Sequence, residues 1–384
     1  MPALEASIAA LHARVPQMIQ LTRSWVEVNS YSGNLSGLNA LADLLAAAFR
    51  LPGLELRREP GGAGSGDHLF WSSRAAASAA PMLLIGHHDT VFPPGHFEGW
   101  REQGTRAQGP GCLDMKGGLA LIWGVLSTLS EAGLLDRLPL VAISVADEEV
   151  SSLDSRPHLE AWARRAECAL VFESGRARDQ IVTRRRGVGG VRAIATGRAA
   201  HAGNAHRDGA NAIWSLARFI DAAQAQTDYA RGVTVNAGTI SGGTASNTVP
   251  ERAEAAFDLR FDTVADAEAL IQALERAARD CASPGTQLQL EGGVRRLPMA
   301  KTAASDALYR AYAACQRAAG LGDGEHPLVG GGSDGNTVAG VGLPVIDGLG
   351  PRGHGVHTSD ETVELDSFGP KAEALLRFLW SRLG

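Results

Sequence analysis

Short apolar runs alternate with helical patterns through the first half of the chain. Three runs rich in Leu, Ile and Val, without polar alternation, lie at 81–86, 138–146 and 168–173. Such runs are typical of strands that are buried on both faces of a parallel sheet. Apolar residues at helical spacing occupy 4–28, 34–50, 115–133 and 155–166. This order of elements predicts an α/β sandwich.

The pattern changes in the middle of the chain. The predicted elements there are strand 188–197, helix 209–226, strand 232–241, strand 251–261, helix 264–281 and strand 286–291. The order β-α-β-β-α-β is that of a ferredoxin-like unit. We place this second domain at 186–297, inserted into a first domain formed by 1–185 and 298–384. The first domain resumes with helix 303–319, strand 343–348 and helix 366–382.

Composition narrows the class of protein. The 384 residues carry 36 basic and 42 acidic side chains, a formal charge of −6, which argues against a nucleic-acid or anionic-membrane partner. The four cysteines form no CxxC pair, so we expect reduced thiols and no thiolate metal site. The most apolar stretch, 117–129, is too short to span a bilayer, and the N-terminus lacks a signal-peptide pattern. We therefore expect a cytoplasmic protein.

Metal-binding side chains follow each of the three apolar runs. They are His87, His88 and Asp89 after the first run, Asp147, Glu148 and Glu149 after the second, and Glu173 after the third. Because ligands of open α/β sheets bind at the carboxyl ends of the strands, we expect these side chains to lie together. Asp114 in a Gly-rich turn and His354 and His357 near the C-terminus add further candidates. Histidines and several carboxylates favour zinc or a similar ion, and their number suggests two metals that share an acid.

Five motifs resemble those of a known enzyme family in their order and spacing. They are GHHDTV, GPGCLDMKGG, ADEEVSS, VFES and GHGVHTSDE, spread from about residue 80 to residue 365. The resemblance is to the zinc-dependent glutamate carboxypeptidases, acetylornithine deacetylases, succinyl-diaminopimelate desuccinylases and aminoacylases, and it is closest to the glutamate carboxypeptidases. It implies a three-layer α/β catalytic domain like that of zinc exopeptidases, with an inserted α+β lid and dimerisation domain.

The resemblance also implies a set of ligands for two Zn²⁺ ions, with Co²⁺ or Mn²⁺ as possible substitutes. One zinc would be bound by His87 and Glu173, the other by Glu149 and His357, with Asp114 as the bridging carboxylate. The family further implies a cis peptide between Asp114 and Met115.

Two more acids near these ligands take roles from the same resemblance. Asp89 would orient the imidazole of His87 as an outer partner. Glu148 resembles the general base, although the adjacent Glu149 could exchange roles with it.

The inserted domain contributes candidates for binding the substrate. His201 in TGRAAHAG matches a family histidine that reaches an active site, often that of the partner subunit; a cap or dimer contact is the structural alternative. Asn247 and Arg260 match positions that bind the substrate's free carboxylate, but could also be a turn residue and a surface charge. Arg296 is a candidate for a second acidic group, and Gly332 lies in the Gly-rich loop VGGGSDGN beside the expected pocket.

Some residues depart from the family pattern and leave substrate preference open. His206-Arg207 stands where the family usually has a Pro-acid pair, His88 adjoins His87, and Cys112 lies two residues before Asp114.

These features predict a two-zinc hydrolase that cleaves an amide bond next to a free α-carboxylate, in the manner of a glutamate carboxypeptidase. The alternative enzyme is an N-acyl-amino-acid deacylase of the acetylornithine deacetylase or aminoacylase type. A metal-holding binding protein without catalysis is a third hypothesis, which the presence of Glu148 disfavours. We expect a small peptide or N-acyl amino acid as substrate and a second copy of the chain as partner, with no nucleic acid or membrane.

Overall fold

The computed structural model describes residues 3–62 and 64–383. The helices are α1 Leu4–Ala13, α2 Val15–Val26, α3 Leu35–Ala48, α4 Gly117–Glu131, α5 Arg156–Ala163, α6 Ala212–Gln224, α7 Val264–Cys281, α8 Ala303–Ala318, α9 Asp334–Ala339 and α10 Phe368–Trp380. The strands are β1 Leu54–Glu59, β2 His68–Ser73, β3 Met82–His87, β4 Arg101–Gln103, β5 Arg106–Gln108, β6 Leu140–Val145, β7 Cys168–Val171, β8 Gly187–Thr196, β9 Ala200–His201, β10 Thr234–Gly242, β11 Thr248–Val249, β12 Arg252–Phe261, β13 Gln287–Arg296, β14 Val345–Ile346, β15 Gly353–His354 and β16 Thr362–Glu364.

The chain divides into two compact units. The first comprises the residues through Arg184, Lys301–Leu328 and the residues from Ser333 onward, and the second comprises Arg185–Ala300 and Val329–Gly332. The chain therefore enters the second unit twice, and the second entry is the Gly-rich loop 329–332, which contains Gly332.

A six-stranded sheet forms the centre of the first unit, in the order β1-β2-β6-β3-β7-β14. Strands β6, β3, β7 and β14 run parallel, and every residue of β3, β6 and β7 is buried. The sheet continues antiparallel through β2 and β1. The predicted α/β class is confirmed, since the uniformly apolar strands are those covered on both faces.

Helices cover both faces of this sheet. Adjacent residues of β2 show the two sides: Trp71 stacks on Phe49 at 4.4 Å between ring centroids, whereas Phe70 faces His158 of α5 at 5.8 Å. Helices α2 and α10 pack on α4, and α9 packs on α5. Within the described residues one stretch, Cys112–Glu131, has the length and apolarity of a membrane span, and 94% of its most apolar window is buried. Most of this stretch is α4, which packs against α1, α2 and α10 in the core.

The predicted helix 4–28 is wrong as a single element. Two helices meet there, with Arg14 between them and Pro16 in the first turn of the second. Proline lacks an N–H and its ring clashes with the preceding turn, so it is accepted in a first turn but not in a helix interior. The apolar residues keep helical spacing on both sides of this break, so the pattern does not reveal it.

The second unit is a four-stranded antiparallel sheet in the order β10-β12-β8-β13, with α6 and α7 packed on one face. Its core joins alternate strand residues such as Ala193 and Phe257 to helix residues such as Phe219 and Leu274. The predicted ferredoxin-like order is confirmed. Strand β13 extends beyond the predicted 286–291 to Arg296, because Gly292 and Gly293 interrupt the side-chain pattern but not the backbone pairing.

Helix α10 carries a buried lysine. Lys371 is 1% exposed, and its Nζ lies 3.5 Å from Asp179 Oδ1. The same oxygen accepts a hydrogen bond of 3.0 Å from Arg352 Nη1. Burial lowers the pKa of Lys371 to about 8, against an ordinary value of 10.5.

Replacing Lys371 by Met should stabilise the protein at pH 7 and flatten its pH dependence. Between pH 8 and 10.5 the unfolded chain binds this proton and the folded chain does not, so the free energy of unfolding rises with pH there, by roughly 3 kcal/mol in all. Lys371→Met removes that slope, and a gain of about 1–3 kcal/mol at pH 7 is expected because Arg352 still neutralises Asp179. Urea unfolding at pH 7 and pH 10 measures the gain in stability and the change in its pH dependence, with Lys301→Met at a partly exposed lysine as control. A slope that survives in Lys371→Met contradicts this assignment.

Candidate functional site

The three predicted strand ends meet at one edge of the sheet of the first unit. His87 is the last residue of β3, and Glu173 follows β7 by two residues. His87 Nε2 lies 3.8 Å from Glu173 Oε1 and 3.2 Å from Asp114 Oδ1. Parallel strands end at a common edge, which is why His87 and Glu173 come into contact although they are far apart in sequence.

Asp114 lies between two histidines. Its Oδ1 faces His87 Nε2, and its Oδ2 lies 3.4 Å from His357 Nε2. His357 Nε2 is in turn 3.1 Å from Glu149 Oε2. The two carboxylate oxygens of Asp114 therefore point to two different clusters of donor atoms.

The donor atoms fit a metal ion. In two groups, His87 with Glu148 and Glu173, and His87 with Asp114 and Glu149, the donor atoms lie within 4.8 Å of one another. Two ligands on one tetrahedral zinc ion, each bonded at about 2.0–2.2 Å, lie about 3.3–3.6 Å apart. The contacts of 3.1–3.8 Å among these side chains bracket that spacing. Imidazole and carboxylate donors suit zinc, cobalt or manganese.

Without a metal ion, several side chains of this cluster have pKa values well away from their ordinary ones. Burial raises the pKa of Glu149 to about 8 and that of Glu173 to about 7, and the charge of Asp114 adds to both rises. Hydrogen bonds to Asp114 and Glu149 raise the pKa of His357 to about 11. Glu149 and Glu173 therefore resist ionisation beside the charge of Asp114, whose own pKa is lowered by its hydrogen bonds to His357 and His87. A divalent cation would relieve the repulsion among these carboxylates.

Asp89 links His87 to the loop that carries the two glutamates. Its Oδ1 lies 3.2 Å from His87 Nδ1. Its oxygens also accept hydrogen bonds of 3.1 Å from the backbone N–H of Glu148 and of Glu149, and Ser32 Oγ donates to Oδ2 at 2.8 Å. Asp89 is fully buried, so its position and those of its partners are mutually fixed.

A residue that sequence reasoning missed, Glu361, supports the turn around Asp114. Its Oε1 accepts from the backbone N–H of Leu113 at 2.9 Å and of Asp114 at 3.0 Å, and its Oε2 accepts from Gly111 N–H at 3.1 Å. Burial, together with the charge of Asp114, raises the pKa of Glu361 to about 7. Its only signal was its place at the end of GHGVHTSDE. The turn contains the cis peptide Asp114–Met115 that the family resemblance implied.

The two unusual neighbours of the cluster are both buried. His88 Nδ1 lies 2.9 Å from Ser144 Oγ on β6, and burial lowers the pKa of His88 to about 3. Burial raises the pKa of Cys112 well above its ordinary value. Both side chains therefore pack as neutral groups.

His201 and Asn247 lie together in the second unit. His201 ends the short strand β9, which pairs with β11, and Asn247 precedes β11 and accepts a backbone hydrogen bond from Ala202 at 2.9 Å. His201 Nδ1 accepts from the backbone N–H groups of Gly203 and Asn204, both at 3.1 Å. The neutral ring therefore carries its proton on Nε2.

The remaining candidates of the second unit lie on β12, on β13 and in the loop 329–332. Arg260 is paired within its own strand, since Nε and Nη2 donate to Asp258 Oδ1 and Oδ2, both at 2.8 Å. Its Nη1 lies 3.5 Å from Gly330 O in the loop that contains the half-buried Gly332. Arg296 is 5% exposed and ends β13. Sequence patterns had not indicated that Asp258 engages Arg260.

Comparisons with known proteins agree with this architecture. The family model described as a peptidase dimerisation domain matches residues 183–286. Carboxypeptidase G2 of Pseudomonas sp. (strain RS-16) is 28% identical over 355 residues, which cover 91% of this chain and 85% of that protein. Among solved structures, an M20 family metallo-carboxypeptidase from Sulfolobus solfataricus superposes with a TM-score of 0.74 at 16% identity, covering 96% of this chain and 99% of the other. At this sequence identity, the structural similarity supports the fold alone.

A second curated relative extends across most of the chain at higher identity. Succinyl-diaminopimelate desuccinylase of Methylobacterium sp. (strain 4-46) is 30% identical over 303 residues, covering 72% of this chain and 74% of that protein. With this relative, the matched dimerisation domain and the shared fold, the chain belongs to the M20 peptidase family and is a hydrolytic enzyme.

Proposed function

We propose that the first unit is a catalytic domain that holds two zinc ions and cleaves an amide bond next to a free carboxylate. The observation that carries the proposal is the position of Asp114, whose two oxygens face two different histidines. Asp114 would bridge the ions, with His87 and Glu173 on one and Glu149 and His357 on the other. Co²⁺ or Mn²⁺ would fit the same donors.

Glu148 is the general base in this proposal. Bound zinc would acidify a water molecule and polarise the amide carbonyl. Glu148 accepts the proton of the attacking water and returns it to the amine as the C–N bond breaks, which leaves a carboxylate and a free amine. Asp89 supports this role because it holds the backbone of Glu148 while it orients His87.

The second unit would act as a lid and dimerisation domain that contacts the substrate. His201 is suited to donate from Nε2 to the developing oxyanion, because its Nδ1 is already occupied by backbone donors. Arg260 and Asn247 would bind the free α-carboxylate, Arg296 a second acidic group, and the Gly332 loop would border the pocket. A substrate carboxylate would then take the place that Asp258 occupies on the Arg260 guanidinium.

A small peptide with a C-terminal glutamate is the first substrate class to test, and an N-acyl amino acid is the second. The desuccinylase relative supports the second class and the carboxypeptidase relative supports the first. The test compares kcat/KM for acyl-glutamates and dipeptides with that for acetyl- and succinyl-amino acids, each paired with its carboxamide analogue. Loss of activity on the carboxamides is expected for either class. Equal turnover of free and blocked forms would exclude recognition of the carboxylate.

We further propose that the active form is a homodimer joined through the second unit. Strand β10 is an edge of its sheet, and its Ile240 is 64% exposed. Helix α6, which packs beside β10, exposes Trp214 (58%) and Ile213 (39%). An open edge next to exposed apolar side chains is a surface on which another chain can pair. Sedimentation should show that the wild-type protein is a dimer. The double variant Ile240→Lys, Trp214→Glu should sediment as a monomer. A wild-type protein that is active as a monomer would refute the proposed dimer.

Replacing Glu361 by Gln should weaken metal binding. The amide keeps one acceptor oxygen, so one of the hydrogen bonds to Gly111, Leu113 and Asp114 is lost and the turn loosens. Loss of a partner behind a ligand typically lowers metal affinity about 10–100-fold. Titration of the metal-free protein with zinc against a competing chelator measures the zinc affinity. Glu364→Gln, on the adjacent strand β16, is the control. An unchanged affinity would assign Glu361 to folding alone.

A further inference from the structure

The loop from Ala146 to Asp154 carries Glu148 and Glu149 between β6 and α5. Ser151 and Ser152 have φ values of 79° and 50°. These left-handed conformations are unfavourable for residues with a Cβ and persist only where the surroundings impose them. Contacts around the loop therefore contribute to holding it in this conformation.

His68 makes such contacts at both ends of the loop. It lies on β2, its side chain is fully buried, and its Nδ1 accepts a hydrogen bond of 3.1 Å from the backbone N–H of Ala146. Its Nε2 lies 3.0 Å from Asp154 Oδ2. The same carboxylate oxygen accepts from Gly62 N–H at 2.8 Å, so Asp154 is itself held.

The two contacts determine which nitrogen of the His68 ring carries the proton. Because Nδ1 accepts from a backbone N–H, it must carry a lone pair, and the proton resides on Nε2 and is donated to Asp154. A neutral imidazole is rigid and planar, so it fixes the separation of Ala146 and Asp154. His68 thus closes the loop of seven residues between them, 147–153, from outside the loop.

Inside the closed loop, Asp147 forms further bonds. Its backbone oxygen accepts from Ser152 N–H at 2.8 Å, and its Oδ2 accepts from the N–H of Asp154 at 2.8 Å and of Ser155 at 3.2 Å. Asp89 supports Glu148 and Glu149 from the outside. The backbone of Glu148 is thus fixed by Asp89 on one side and by the closure of the loop on the other.

We propose that His68 is a positioning residue for the reaction, which sets Glu148 by joining Ala146 to Asp154. The role rests on the proposed function, in which Glu148 moves the proton. His68 acts through the loop backbone and through Asp154. A side chain that only filled the core could be replaced by another ring of similar size without kinetic consequence, and this difference makes the role testable.

The test is His68→Phe, which keeps an aromatic ring on β2 and removes both hydrogen bonds. With saturating zinc, kcat is expected to fall about 10–100-fold, the range for loss of a supporting partner, whereas KM changes little because the loop does not bind the substrate carboxylate. Hydrogen exchange of the metal-free protein gives a second readout that needs no activity. Amides of residues 146–155 should exchange faster, that of Ala146 because its acceptor is removed, while amides of elements away from the loop stay unchanged.

Matched variants separate positioning from folding. His68→Gln offers one acceptor and one donor in a single side chain and should recover part of the lost kcat. Asp154→Ala removes the other partner at a side chain that is 36% exposed, so it tests the closure if His68→Phe fails to fold. His158→Phe replaces the neighbouring histidine of α5, whose ring lies 6.2 Å from that of His68, and should behave as wild type.

The outcomes distinguish a failure of the positioning role of His68 from a failure of the proposed hydrolytic function. Normal kcat and normal loop exchange in both His68→Phe and Asp154→Ala would overturn the positioning role while Glu148→Gln still tests the base. Inactivity of the wild-type protein on every amide substrate would overturn the proposed function. In that case, faster exchange of residues 146–155 in His68→Phe and Asp154→Ala would still establish that His68 closes the loop, and unchanged exchange would exclude it.

Discussion

Replacing Glu148 by Gln should abolish most of the hydrolytic activity. The amide keeps the size of the side chain but cannot accept the proton of the attacking water. A general base contributes about 10²–10⁴ in rate, which corresponds to roughly 3–5 kcal/mol of transition-state stabilisation. The loss should appear in kcat, because Glu148 is not proposed to bind the substrate carboxylate. Steady-state kinetics at saturating zinc, with metal content measured in parallel, provides the measurement.

Two further variants show whether the loss is specific to the base. Glu160→Gln on α5 changes a glutamate whose partner is Arg164 at 2.7 Å, and activity should be retained. Glu149→Gln should instead lower zinc affinity, since Glu149 is the proposed ligand beside His357. If Glu149→Gln lost only kcat and Glu148→Gln lost the metal, the two acids would have exchanged roles. Full activity in Glu148→Gln would exclude the mechanism.

Removing the metal should inactivate the enzyme and destabilise it. Hydrolysis would lose both the acidified water and the polarised carbonyl, so activity is expected to fall below about one hundredth of its initial value. Binding to the folded state alone, at 1,000 times Kd, contributes about 4 kcal/mol to the free energy of unfolding. Chelation, followed by activity assays and thermal unfolding, tests both effects. Zinc, cobalt or manganese added back singly then identifies the ions that restore activity.

The stoichiometry tests the two-ion arrangement. Elemental analysis should find two ions per chain in the wild type and fewer in Asp114→Asn, whose side chain would no longer bridge with two charged oxygens. His12→Ala alters a partly exposed histidine on α1 that is paired with Glu373, and it should leave the metal content unchanged. One ion per chain at saturating zinc would exclude the bridging role of Asp114. A metal-free protein with full activity would refute the metal mechanism altogether.

Much of the architecture could be predicted from local patterns. Uniformly apolar runs mark the parallel strands β3, β6 and β7 because these are the strands covered on both faces. A parallel sheet has one carboxyl edge, so acids and histidines that follow such runs can be expected to converge there. The strands β1 and β2 were missed, since their mixed sequences LELRRE and HLFWSS resemble neither a buried run nor a regular alternation.

The supporting partners could not be predicted from these patterns. Glu361 binds the N–H of Asp114 across 247 positions of sequence, and His68 binds the N–H of Ala146 across 78. A backbone N–H gives no sign in the sequence of which acceptor will reach it. The engagement of Arg260 by Asp258 is local by comparison, yet it depends on rotamers that a strand pattern does not specify.

The sequence by itself determined the class of fold, the family and the candidate donors, because hydrophobic periodicity and motif order are properties of neighbouring residues. Only the tertiary structure decided that Glu361 holds the turn of Asp114 and that Asp89 and His68 hold the loop of Glu148. These arrangements depend on the packing of distant segments, where hydrogen-bond geometry and burial select one partner among many of equal local plausibility.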